Sequence, residues 1–439
     1  MTCGLDRIVT SKAIIGAAFA LVLLGACGEK DVILPGERFD LRASPVEVNQ
    51  TRPISLRAAR ANADWTHRNG SPTHQITHPA LGAALVPAFV AEIGEGDSRR
   101  ARITADPVVA GGVVYTLDAR ARVTATATTG QQVWAVDLTP SRDNPTDASG
   151  GGLAVAGGQV FVTTGFGELT ALDAATGREI WVQKLDAPAI AAPTVVGGLV
   201  YVVARDSTAW ALDVTNGRIR WQQTGTPSTA NFASGAAPAV TDTIAIFPFP
   251  SGEVVATFPE GGLQRWSSVI SGDRLGRAVS LVTDIGGDPV IDGSRVYVAN
   301  FGGRVVALDI IDGSRIWTAP EGAVSPVWPV GDAVFLINDL NELVRLDAAN
   351  GTSVWRVSLP TFGDKPTARQ RSVFAHHGPV LAGGRLIVAS SDGLIRQFDP
   401  ASGAALGSLE IPGGAATNPV VAGQTLYVVS KTGQLHAFR

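Results

Sequence analysis

The sequence predicts an all-β fold, an eight-bladed β-propeller of four-stranded antiparallel blades closed by an N-terminal strand, and three observations carry that expectation. A single unit recurs from residue 106 onward. Tryptophans close successive units at Trp134, Trp181, Trp221, Trp266, Trp317 and Trp355, at intervals of 47, 40, 45, 51 and 38 residues, a mean near 44 that suits four strands per repeat. Composition agrees: of 439 residues 45% are hydrophobic, 50 are Gly and 26 are Pro, with β-branched residues between them. That mixture favours short strands joined by tight turns over long helices.

At the N-terminus, Arg7 and Lys12 precede an apolar run from Ala13 to Leu24, too short to cross a bilayer of roughly 30 Å and typical of a signal peptide. The run ends Leu24-Gly25-Ala26-Cys27, which resembles the lipobox of bacterial lipoproteins and marks Cys27 for acylation after removal of residues 1–26. Gly28 follows, where Asp would signal inner-membrane retention under the Gram-negative sorting rule, so an outer-membrane anchor facing the periplasm is expected. Residues 27–61 mix Pro, Arg, Glu and Asn without periodicity and read as a lipidated tether spanning roughly 35 Å as a coil.

Residues 62–439 form the expected propeller. Its unit reads in full as Pro193-Thr-Val-Val-Gly-Gly-Leu-Val-Tyr201, then Ala211-Leu212-Asp213-Val-Thr-Asn-Gly217, then Trp221. The pairs Gly111-Gly112, Gly157-Gly158, Gly197-Gly198 and Gly383-Gly384 suit type I′ turns, which need positive φ at both central positions. Six tryptophan-closed units and two more from Pro379 and Pro419 make eight, Leu406 standing where the seventh Trp would. The last unit stops at Arg439 one strand short. An open ring exposes unpaired edges, so another segment must close it, and the stretch Asp64-Trp65-Thr66-His67 is the candidate to pair with the C-terminal blade. The periodic tryptophans, each burying on the order of 200 Å², are assigned to the wedges between blades; Trp210 and Trp328 fall outside the register.

The Ala-Leu-Asp-x-x-Thr-Gly-x-x-x-Trp unit, as at Ala171 to Trp181, resembles the tryptophan-docking repeat of quinoprotein dehydrogenases, and eight such blades on a lipoprotein are similar to the BamB family. That resemblance implies a non-catalytic scaffold that binds BamA and aids insertion of outer-membrane proteins, with unfolded clients as further partners. Two connections resemble the family's contact loops. In the stretch Thr283 to Pro289, Asp284 matches the first acid of an Asp-Val-Asp segment while Gly286 replaces the second. In the other, Ala230-Asn231-Phe232-Ala233 stands where the family example carries Leu-x-Leu-Arg, keeping Phe232 as an apolar anchor beside Asn231. Arg274 and Leu275 lie between them in sequence and join the expected partner surface. The structural alternatives are a turn-capping role for Asp284 and a core role for Phe232.

Other chemistry is absent from the sequence. A net charge of −4 gives no overall positive field for nucleic acid. No phosphate loop, His-Glu-x-x-His or Gly-x-Ser-x-Gly occurs, and no metal or cofactor is expected. The Asp-x-x-x-Gly turns, as at Asp213 to Gly217, recur per blade and read as turns rather than calcium loops. His376-His377 reads as part of a surface loop, and Lys365, Arg369 and Arg371 make residues 360–378 locally basic. A quinone-dependent dehydrogenase and a periplasmic sugar- or peptidoglycan-binding propeller are the competing functions.

Overall fold

The computed structural model describes residues 49–228, 235–270, 272, 284–363 and 372–439, which fold as eight four-stranded antiparallel sheets. Each of the first seven follows the chain, as in blade 1: Val108–Ala110, Val113–Leu117, Arg122–Ala127 and Gln132–Asp137. First strands touch those of neighbouring blades and so line the axis; fourth strands form the rim. The only helical turn among the described residues is the short 3₁₀ segment Arg68–Gly70.

The wedge between blades explains the repeated motif. The indole N–H of Trp181 donates to the Val214 carbonyl of the next blade at 3.0 Å, and Trp134, Trp221, Trp266, Trp317 and Trp355 make the same bond forward. Each ring lies against the motif Gly of that next blade. At Gly313, φ is +70° and an added Cβ would sit 2.5 Å from Trp266, so glycine is required both by backbone conformation and by the ring above it. The motif Asp caps the turn: the Asp173 carboxylate accepts from the Thr176 N–H at 2.9 Å and from its hydroxyl at 2.7 Å. The turns read from the sequence are thus Asx turns in the structure.

Closure differs from the expectation. The strand completing blade 8 is Pro87–Glu92, antiparallel to Gln434–Phe438 with Glu92 opposite Gln434. Its Phe89 takes the place of the missing tryptophan, because a Cβ on Gly130 of blade 1 would meet the Phe89 ring at 2.8 Å. The stretch around Trp65 does not pair with the C-terminal blade. Trp65 instead forms an isolated bridge with Val109 in blade 1, is 1% exposed and stacks on Trp328 at 6.3 Å. A large apolar ring is more favourably buried on the axis than set in a rim strand whose other residues are exposed, and this contact accounts for the out-of-register Trp328.

Residues 49–61, expected to lie in the tether, run across blades 6 and 7 toward the axis. The Gln50 N–H donates to Val354 O at 3.0 Å and the Arg52 N–H to Ala401 O at 3.1 Å. The fully buried Arg345 holds this segment, its guanidinium donating to Arg52 O at 2.5 Å and pairing with Asp332 at 3.3 Å. A buried guanidinium needs partners on several sides, and here the chain's own carbonyls supply them.

Candidate functional site

The strand starts and interblade connections gather on one face of the ring, where two features converge. The first is an axial funnel of about 230 Å³, lined by Arg68, Thr104, Asp106, Ser325, Asn338, Asn341, His376, His377, Thr417 and Asn418. Arg68 lines it and bridges Asp288 at 2.9 Å and Asp106 at 3.3 Å. These two acids come from blades 5 and 1, four blades apart in a ring of eight, so one guanidinium ties opposite walls together. Burial alone would lower the Arg68 pKa, but the carboxylates outweigh it and hold it above the ordinary value. Asp106 is raised, because desolvation outweighs Arg68 and the hydrogen bonds from Asn418.

A hydrogen-bonded hub surrounds this bridge. Asp106 accepts from the Asn418 N–H at 2.9 Å and from its side-chain amide at 2.8 Å. Asn418 Oδ1 in turn accepts from Ser325 Oγ at 3.0 Å and from the Gly378 N–H at 2.7 Å, while Asp288 accepts from the Ala237 N–H. Blades 1 and 4 to 8 thereby share one network, which fixes the strand starts on which the face is built. Both axial acids are consumed by it. The signal in the sequence was an Asp immediately before the strand-start proline, Asp106-Pro107 and Asp288-Pro289, which the repeat pattern alone did not single out.

His376-His377 is not in a surface loop: it begins the inner strand His376–Ala382. His376 is buried, its ring hydrogen-bonded to Ser390 Oγ at 2.7 Å and Pro360 O at 2.8 Å. The main chain of both residues pairs with the next strand, His376 opposite Ser390 and His377 opposite Ala389, which draws them into the sheet rather than a loop. The His377 pKa falls to about 4, first through burial and then through His376. Among the described residues no three His, Cys, Asp or Glu side chains converge to hold a metal ion.

The second feature is a cleft of about 20 Å³, room for roughly one water, between blades 3, 4 and 5. It is lined by Ile190, Arg205, Gly235, Ala236, Pro248, Asp284 and Ile285, among others. Asp284 is 5% exposed, at the head of the strand Ile285–Asp292. The described ends of both connections singled out in the sequence, Gly235-Ala236 and Asp284-Ile285, therefore meet at one place. Asn231, Phe232, Arg274 and Leu275 lie outside the described residues, as do Cys27, Lys365, Arg369 and Arg371.

Indole docking, the glycine beneath each ring and an axial polar hub define a propeller of the tryptophan-docking class. Comparison with known proteins is more specific. The chain belongs to the family described as outer membrane protein assembly factor BamB, which matches over residues 119–357 and 341–439. The outer membrane protein assembly factor BamB of Yersinia pestis is 25% identical over 338 residues, 76% of this chain and 83% of that protein. The crystal structure of BamB from Moraxella catarrhalis superposes with a TM-score of 0.67 at 18% identity, covering 81% of this chain and 100% of that one. The quinohemoprotein alcohol dehydrogenase of Comamonas testosteroni superposes at 0.64 with 15% identity, covering 87% and 81%. At these identities the structural likeness is one of fold.

Proposed function

We propose that the chain is a non-catalytic scaffold of outer-membrane β-barrel protein assembly, anchored in the outer membrane through an acylated Cys27 after removal of residues 1–26. Its partner is a periplasmic domain of BamA, held on the face that carries the cleft between blades 3, 4 and 5. The observation that carries this reading is the family match across nearly all of the blades. The meeting of the two connections at Asp284 and Gly235 supports the location, since a partner engaging one would reach the other.

The axial carboxylates favour binding over turnover. Asp106 and Asp288 are engaged by Arg68, Asn418 and main chain, so neither stands ready as a general base. Among the described residues the cleft holds about 20 Å³, well below the volume of a typical small-molecule site.

The test is affinity capture of the lipidated chain from detergent-solubilised membranes. Recovery of BamA with the natural chain, and at least tenfold less with Phe232→Asp and Arg274→Glu combined at unchanged thermal midpoint, is the expected outcome. Recovery of the chain without any barrel-assembly protein would contradict the scaffold reading. Asp284→Arg is a poor probe here, because the residue is buried at a strand head and its replacement would disturb the blade.

A further inference from the structure

The inner strands of a propeller present their outer edges to the channel, a ring of main-chain N–H and C=O groups with no strand beside them. In this chain at least one such N–H is taken in seven of the eight blades. The Val109 N–H donates to Trp65 O at 2.8 Å, the Val155 N–H to Thr66 O at 2.9 Å, the Val240 N–H to Pro72 O at 2.8 Å and the Ile291 N–H to Thr73 O at 3.0 Å. The Val195 N–H donates to the His67 ring at 3.1 Å. These five residues hold the same register in blades 1 to 5, one step before the inner hairpin turn.

In blade 6 that register position is Pro329, which has no N–H to satisfy, and there the contact is Trp65 stacked on Trp328. In blades 7 and 8 the bonds fall two residues later, from the Gly383 N–H to Pro79 O at 2.9 Å and from the Gly423 N–H to Asn62 O at 2.7 Å. Apart from that stacking in blade 6 and the Arg68 bridge to blades 1 and 5, residues 62 to 79 meet blades 8, 1, 2, 3, 4, 5 and 7 in chain order, circling the axis once in the sense of the ring.

We propose that the axial wall is a binding site for an extended polypeptide segment, occupied in this chain by its own residues 62–79, which stopper the channel at the end bearing the inner hairpin turns. The segment forms no ladder; it is held by one to three hydrogen bonds at each blade except blade 6, by Trp65 and by Arg68, whose guanidinium lines the funnel. Among the described residues the axis is therefore open only from the face with the funnel, and no polypeptide threads the ring while the stopper is seated. This assignment is independent of any partner, so its failure leaves the scaffold reading untouched.

Hydrogen exchange on the full chain tests it. The amides of Val109, Val155, Val240 and Ile291 are expected to exchange at least a hundredfold more slowly than unprotected amides. In Trp65→Ala they should speed up by at least tenfold, while amides within the second and third strands keep their protection. A synthetic peptide of residues 60–81 added to that variant should restore slow exchange. Solvent-rate exchange of the four amides in the natural chain would overturn the proposal even if the variant fails to fold, and a folded variant that ignores the peptide would overturn the binding-site assignment.

Discussion

Two segments fewer than ten residues apart close this ring by opposite means. At the rim, Pro87–Glu92 adds a regular antiparallel strand to blade 8 while most of its side chains remain exposed. On the axis, residues 62–79 make almost no regular pairing, yet Trp65, His67 and His74 are 1%, 3% and 0% exposed. Main-chain pairing and burial are thus separable tasks. The rim needs a strand because its liability is an unpaired edge; the axis needs volume and satisfied polar groups because its liability is a cavity.

The comparison makes the axial segment the more sensitive of the two, and Arg68 its most sensitive residue. Arg68→Met leaves the carboxylates of Asp106 and Asp288 buried without their cation and should cost about 3–5 kcal/mol, read by chemical denaturation. Adding Asp288→Asn should return part of that loss. A cost under about 1 kcal/mol would mean that the diametric bridge is incidental.

At the rim the largest effect falls on the docking glycine. Gly130→Ala, at φ +94° and 2.8 Å from the Phe89 ring, should cost about 2 kcal/mol or more, whereas Gly111→Ala, with no atom within 4 Å, should cost about 1–2 kcal/mol from its backbone conformation alone. Equal losses would remove Phe89 from the role of the missing tryptophan.

Acid should act on the axis. Burial, and then the neighbouring His74, lowers the His67 pKa from 6.5 to about 3, and its ring accepts the Val195 N–H, which requires the neutral form. The folded state therefore resists a proton that the unfolded chain takes up. His67 contributes its stability above pH 6.5, and that contribution fades as pH falls toward 3, at about 1.4 kcal/mol per pH unit at most. His67→Gln should flatten the fall of the thermal midpoint between pH 6.5 and 4; an unchanged profile would assign the acid sensitivity to other histidines with lowered pKa such as His377. The smallest effect belongs to Val90→Ser on the rim strand, 52% exposed, expected within about 0.5 kcal/mol.

How far the sequence carries follows the same division. The blades were legible because Trp181 must find a glycine such as Gly217 on the next blade, and that demand repeats at a fixed interval. The closing strand was not legible: Pro-Ala-Phe-Val-Ala-Glu lacks both the tryptophan and the turn signature, and Trp65 drew attention away from it by residue type alone. The axial segment was hidden for a deeper reason. Its bonds are made mostly by carbonyls of Asn62, Trp65, Thr66, Pro72 and Pro79, and a carbonyl carries no sequence signature. Of the site, the connections ending at Gly235 and Asp284 were found by resemblance, whereas Arg68 and Asp106 needed the ring to bring them together.

The claim on which the rest stands is that Pro87–Glu92, and not the stretch around Trp65, fastens the last blade. Glu92 and Gln434 are register partners whose side chains already meet at 2.6 Å, so Glu92→Cys with Gln434→Cys places two thiols across one antiparallel pair. Under mild oxidation the full chain should form that disulfide, identified by mass spectrometry of its peptides, with a raised thermal midpoint, while Trp65→Cys with Gln434→Cys should form none. A cross-link from position 65 and none from position 92 would contradict the account.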